Sequence, residues 1–232
     1  MARKEIKIDS KDGSEFDCYV SMPDRKNKVP AIVIACAVYG VDLDVRKIAD
    51  EFAANGYIAY APDLFWRTLP GPLLRGDART QERSQPRLEK IKAGEQDMLD
   101  VAAEIRKLPQ SNGRIATIGL CYGGPYAVIA PQRLGYNAGI SCHGTTMASY
   151  VNEFEGLTAP VCYIWGDQDH AATPEVQDVY PKLAQKIENL EVHLLPGILH
   201  GYMNTLDKTA YDAGAYKFSM QRALSILETL QG

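Results

Sequence analysis

The stretch Gly119-Leu-Cys121-Tyr-Gly123-Gly124 holds the residue best placed for covalent chemistry. Before it, Arg114-Ile-Ala-Thr-Ile118 is a short run with β-branched positions that predicts a buried strand. From Tyr122 onward the pattern predicts the opening of a helix. A chain that turns from strand to helix so quickly crowds the backbone around the residue at the corner. Side-chain-free neighbours at Gly119, Gly123 and Gly124 relieve that crowding, which makes this a cysteine version of the Gly-x-Ser-x-Gly nucleophile elbow. A thiol at a helix N-terminus is favoured as thiolate, the form that attacks an acyl carbon. The same residues also fit a packing turn in which Cys121 is a small buried core residue. They do not fit a phosphate loop, because the Gly-x-Gly-x-x-Gly spacing and the Lys-Ser/Thr pair of a P-loop are both missing.

Acyl chemistry needs a base and a carboxylate to orient it. Downstream, Trp165-Gly-Asp-Gln-Asp-His170 offers Asp167 and Asp169 just past a predicted strand, Ala159–Trp165. Asp169 stands out in the loop, whereas Asp167 sits against Gly166 and suits a turn brace. A metal held by the two aspartates lacks identifiable partners, so no metal is expected. Four histidines compete for the base. His193 lies within a predicted strand, His170 adjoins the acid and cannot easily turn back onto it, and His143 ends a strand where it can line the pocket. His200 follows the last predicted strand on a Gly-flanked loop that reaches both the thiol and Asp169, and it is the expected base. Nucleophile, acid and base then follow in the order Cys121, Asp169, His200, each just beyond a strand. The oxyanion formed on attack requires backbone N–H donors, expected from Tyr122 and Val38.

The elements that must position these groups alternate strand and helix. A hairpin, Glu5–Asp9 with Phe16–Met22, precedes strands at Ala31–Cys36, Ile58–Ala61, Arg114–Ile118, Ala138–Cys142, Ala159–Trp165 and Glu191–Leu195. Helices are expected at Asp44–Asn55, Leu88–Leu108, Glu175–Ile187 (restarted or kinked at Pro181) and about Ala210–Leu230. This alternation predicts an α/β fold with a mainly parallel sheet and helices on both faces. Residues 64–85 break the rhythm with Phe65-Trp66-Arg67, Leu69-Pro-Gly-Pro-Leu-Leu74 and several arginines, and read as a lid-like loop.

The chain has 232 residues, 46% hydrophobic and 23% charged, which fits one globular domain spanning 1–232. A net charge of −4 gives no electrostatic case for nucleic acid or an anionic membrane as partner. The charged N-terminus predicts no signal peptide, and five cysteines without a Cys-x-x-Cys pair predict a reducing, cytoplasmic setting and no structural zinc.

Gly119-Leu-Cys121-Tyr-Gly123-Gly124, Gly166-Asp-Gln-Asp169-His170 and His200-Gly-Tyr resemble the dienelactone hydrolase family of α/β-hydrolases. The resemblance extends through Ile32–Gly40, Gly56-Tyr57, Pro62-Asp63-Leu64 and Ser111-Asn112-Gly113, nearly the whole chain. It implies an α/β-hydrolase fold, a Cys121–His200–Asp169 triad, no cofactor, and hydrolysis of a small carboxylic ester or lactone. Further residues expected to touch substrate are Tyr39, Trp66, Arg79, Arg83, His143 and Tyr202. The sequence departs from the family twice. Where the family places a glutamate after the third strand, Ala35-Cys36-Ala37-Val38 carries no carboxylate. Where it places an arginine shortly after the catalytic histidine, His200-Gly-Tyr-Met-Asn204 carries no cation, and Arg79 or Arg83 is left to match the family's other substrate-gripping arginine. Three other readings stay open: a broad-range carboxylesterase that does not act on dienelactone, a ligand-binding protein with Cys121 inert, and a thiol redox protein without a nearby resolving cysteine.

Overall fold

The computed structural model describes residues 1–232. Its centre is an eight-stranded sheet in the order β1-β2-β4-β3-β5-β6-β7-β8. The strands are β1 (Ala2–Asp9), β2 (Glu15–Met22), β3 (Val29–Ala35), β4 (Ile58–Pro62), β5 (Ser111–Leu120), β6 (Ala138–Cys142), β7 (Val161–Gly166) and β8 (Leu190–Leu195). β1 and β2 form the expected hairpin and β2 runs antiparallel to β4, while every pairing from β4 to β8 is parallel. The central strands are apolar because both their faces are covered: every residue of β3, β4, β6 and β7 is buried. At the edge, β1 leaves Arg3, Lys4, Glu5 and Lys7 in solvent and turns Ile8 inward.

The helices are α1 (Leu43–Ala54), α2 (Arg79–Ser84), α3 (Arg87–Lys107), α4 (Tyr126–Arg133), α5 (Pro174–Ala184) and α6 (Ala213–Thr229). From β3 the chain steps one way through α1 to β4, and from β5 it steps the other way through α4 to β6. Right-handed crossovers in opposite directions put these helices on opposite faces. Tyr216 of α6 donates to Glu51 of α1 at 2.8 Å on one face, and Tyr126 of α4 donates to the Ile91 carbonyl of α3 at 2.7 Å on the other. The stripe Ile91, Met98, Val101, Ala102 and Ile105 that predicts α3 is fully buried. α6 starts at Ala213, later than expected, because Asp212 caps it by accepting from the Ala215 amide at 2.8 Å.

Register decides where the site can be. Ala35 pairs with Gly119, Gly119 with Ser141, Cys142 with Ile164, and Gly166 with Leu195. The carboxyl ends of β3, β5, β6, β7 and β8 therefore lie level, and the segments carrying Val38, Cys121, His143, Asp169 and His200 leave one edge of the sheet. Ligand and reaction sites of open α/β sheets collect at that edge.

Candidate active site

At the end of β5 the chain makes a single 3₁₀ turn over Cys121–Gly123, and α4 begins only at Tyr126. The helix expected from Tyr122 is thus displaced. Pro125 has no N–H to return to the Cys121 carbonyl, so the α-helical ladder cannot start there, and the Gly124 amide closes the tighter turn on that carbonyl at 3.0 Å. Cys121 itself has φ +51°, a left-handed conformation strained for a side-chain-bearing residue. A Cβ on Gly119 would sit 2.1 Å from the Gly123 carbonyl oxygen, and one on Gly123 would sit 2.1 Å from that of Ala35. The elbow closes only because both positions are glycine. Cys121 is half-buried, whereas the other four cysteines are buried free thiols.

Across from the thiol, the His200 ring donates Nδ1–H to Asp169 Oδ1 at 2.8 Å. The same oxygen accepts the Ala171 amide at 2.7 Å, and Asp169 is only 3% exposed, so the acid is fixed in place. This leaves His200 Nε2 as the free ring nitrogen. Donor atoms of Cys121, His200 and His143 all lie within 4.8 Å of one another. Burial works against a charged His200 ring, but its hydrogen bond to Asp169 and the neighbouring Cys121 thiol outweigh burial and raise its pKa to about 10. Asp167 does something else: it accepts the Gly197 amide at 2.8 Å and braces the turn that leads to His200. His193 of β8 meets its strand neighbour Glu191 and Phe218 of α6, and the exposed His170 ring packs 4.6 Å from that of His200.

The remaining sequence candidates divide sharply. Val38 follows β3, and the peptide that carries its N–H is held from both sides. Gly40 donates to the Ala37 carbonyl at 2.9 Å, and Arg83 donates to the Val38 carbonyl at 3.3 Å. Arg83 is fully buried and also donates to the carbonyls of Leu69 and Gly71, so its guanidinium is committed to the chain and not turned to a substrate. Arg79 forks onto Asp77 within its own turn. Trp66 stacks on Phe16 at 5.7 Å and carries the Arg67 guanidinium over its ring at 4.0 Å, whereas its neighbour Phe65 packs 4.8 Å from Tyr122. Tyr39 lies under Arg75. Tyr202 is buried, with its hydroxyl at 2.9 Å from Ser219 and its ring 5.2 Å from His143. His143 is buried with φ +44°.

Residues 64–85 are a pinned excursion. Asp63 accepts from Phe65 and Gly71, Leu73 donates to the Tyr39 carbonyl, Arg75 pairs with Asp44 at 2.8 Å, and Arg79–Ser84 forms the short α2. Asp44 also accepts from the Thr205 amide at 2.9 Å and from its hydroxyl, which ties this excursion to the loop after His200.

Arg87 is the cation that sequence reasoning passed over. Its guanidinium lies 5.6 Å over the Tyr122 ring and donates to Thr145, whose amide donates to the Cys121 carbonyl at 3.0 Å. Arg87 is the first residue of α3, where the helix dipole disfavours a cation.

A mostly parallel eight-stranded sheet, with a thiol on a strained corner and an imidazole–carboxylate pair at the same edge, has the architecture of the α/β-hydrolase fold. The chain belongs to the dienelactone hydrolase family, whose family model matches residues 16–231. It is 26% identical to carboxymethylenebutenolidase 1 of Cupriavidus pinatubonensis over all of this chain and 99% of that one. It is equally 26% identical to the carboxymethylenebutenolidase of Pseudomonas putida, over 98% of that chain. The crystal structure of a dienelactone hydrolase-like promiscuous phosphotriesterase from metagenomic libraries superposes with a TM-score of 0.80 at 18% identity, over the whole of both chains. The protein is thus a hydrolase of ester or lactone bonds acting on a small molecule. No helix is long and apolar enough to cross a membrane.

Proposed function

We propose that residues 1–232 act as one cytoplasmic hydrolase unit that cleaves small carboxylic esters or lactones through an acyl-enzyme on Cys121. The Cys121 thiolate attacks the carbonyl carbon, and the new C–S bond places negative charge on the carbonyl oxygen. The Val38 and Tyr122 N–H groups receive that charge. As the C–O bond breaks, His200 Nε2–H gives its proton to the leaving alkoxide, and Asp169 holds the ring in the tautomer this requires. Water then attacks the thioester, His200 takes its proton, and the thiolate departs. The chemistry draws only on the chain's own groups and water.

The observation that carries this reading is the convergence of Cys121, His200 and Asp169, with a 2.8 Å imidazole–carboxylate bond behind a half-buried thiol. The test is turnover by Cys121→Ala. The variant keeps its circular dichroism and loses ester hydrolysis, whereas wild-type-like turnover overturns the assignment.

A second, narrower reading concerns substrate charge. Ala37 is buried where the family places a carboxylate, Asn204 offers no charge, and Arg79 and Arg83 are engaged within the chain. These features favour a carboxylesterase of broad range over an enzyme that depends on an anionic lactone.

A further inference from the structure

His143 has no role in the hydrolytic steps above, yet its situation is unusual. It is 0% exposed, its backbone is left-handed, and neither ring nitrogen has a hydrogen-bond partner. A buried imidazole with both polar atoms unsatisfied is costly to keep. Its ring stands edge-on to His200 at 4.9 Å and to Tyr202 at 5.2 Å. A neutral imidazole carries a lone pair on one nitrogen, and no protein group takes it up here.

We infer that Cys121, His143 and His200 together form a binding site for a single Zn²⁺ ion, whose occupancy shuts the enzyme off. One donor atom from each residue already lies within 4.8 Å of the other two. In a tetrahedral zinc site, with Zn–S near 2.3 Å and Zn–N near 2.0 Å, neighbouring donors are about 3.3–3.6 Å apart. Formation of the site therefore requires rotation of the half-buried Cys121 side chain and tilting of the two rings. The donor set is selective: one thiolate and two imidazoles suit a borderline-soft ion, whereas calcium and magnesium require oxygen. Asp169, bonded to His200 Nδ1, is the carboxylate that orients a metal-bound histidine in such sites. The fourth position is left for water.

A second grouping, Cys162–Glu191–His193, is a weaker candidate because Arg222 already engages both Glu191 oxygens.

The inhibition rests on the proposed nucleophile, but the binding does not, so binding is measured directly and without substrate. Chelator-treated wild-type protein titrated calorimetrically with Zn²⁺ is expected to take one equivalent. Co²⁺ used in place of Zn²⁺ is expected to show a sulfur-to-metal charge-transfer band that Cys121→Ser removes. His143→Asn keeps a residue that tolerates the left-handed backbone, and it should weaken Zn²⁺ binding by more than the roughly 10–100-fold that loss of an outer-shell partner costs. X-ray absorption on the Zn²⁺-loaded wild type counts donors without any variant, and one sulfur with two imidazoles is expected. Absence of stoichiometric binding, a Co²⁺ band that survives Cys121→Ser, an unchanged affinity in His143→Asn, or a shell without sulfur would each overturn the site. A protein that binds Zn²⁺ in this way but hydrolyses no ester would sink the proposed function and leave the metal site standing.

Discussion

The Asp169 carboxylate meets the His200 ring at 2.8 Å through Nδ1, so the nitrogen left facing the Cys121 thiol is Nε2. This one bond sets the tautomer on which every proton transfer in the proposed cycle depends. Asp169→Asn presents an amide that can bond the wrong tautomer, and kcat is expected to fall by about 10⁴, the scale of the equivalent change in a serine triad. Asp167→Asn removes only a turn brace and should leave kcat near wild type. Steady-state kinetics on both variants checks the ranking, and the reverse order would reassign the acid.

The raised proton affinity of His200 has a consequence for stability. A ring that holds its proton more tightly folded than unfolded adds stability below its unfolded value of about 6.5 and surrenders it as pH climbs through about 10. Urea unfolding of wild type and His200→Gln across this window should therefore show the wild-type advantage shrinking from pH 6.5 to pH 10. An advantage that grows with pH would mean that the ring is not held as a cation in the folded state.

Arg83 is expected to act through the chain and not on substrate. Arg83→Met strands the carbonyls of Val38, Leu69 and Gly71, and destabilisation of about 3 kcal/mol follows from losing charge-assisted bonds in a buried setting. The loosened Val38 peptide should lower kcat more than it raises KM. Arg79→Ala, by contrast, frees only Asp77 in an exposed turn and should change neither stability nor kcat appreciably. Denaturant midpoints and kinetics for the two variants make the comparison.

Ala37 cannot bond a thiol or repel a thiolate, so on the proposed mechanism Cys121 should be open to His200 before substrate arrives. Neutral esters should then be turned over within about tenfold of their carboxylate analogues, a difference of about 1.4 kcal/mol in transition-state binding. The free enzyme should also be alkylated readily by iodoacetamide near neutral pH. Measuring kcat/KM for a matched neutral and anionic pair at one ionic strength tests this. A strong preference for the anion together with a sluggish resting thiol would contradict it.

Much of this arrangement was legible in the chain, and the parts that were not have physical reasons. Apolar runs such as Ala31–Cys36 and the α3 stripe announce burial directly, so the sheet and its helices could be placed. The elbow glycines could be read because steric need restricts residue type. The 3₁₀ turn at Cys121–Gly123 was not anticipated, because it follows from an amide that Pro125 lacks four residues later. The arginines misled for another reason: charge at a position says nothing about its partner. Arg83 finds backbone carbonyls, Arg79 finds Asp77, and Arg87, more than thirty residues from Cys121 in sequence, lies beside the elbow. Trp66 likewise looked like a substrate-facing aromatic, yet its partner Phe16 sits on a strand fifty residues earlier.

The central claim is that a covalent acyl-enzyme forms on Cys121, and trapping that intermediate tests it most directly. Wild-type protein mixed with an activated acetate ester and acid-quenched in the burst phase should carry a single acetyl group, mapped by peptide mass analysis to the segment holding Cys121. His200→Gln should accumulate little of it, and Cys121→Ala none. An acetyl group on another residue, or ester turnover with no acyl adduct at any time, would contradict the account.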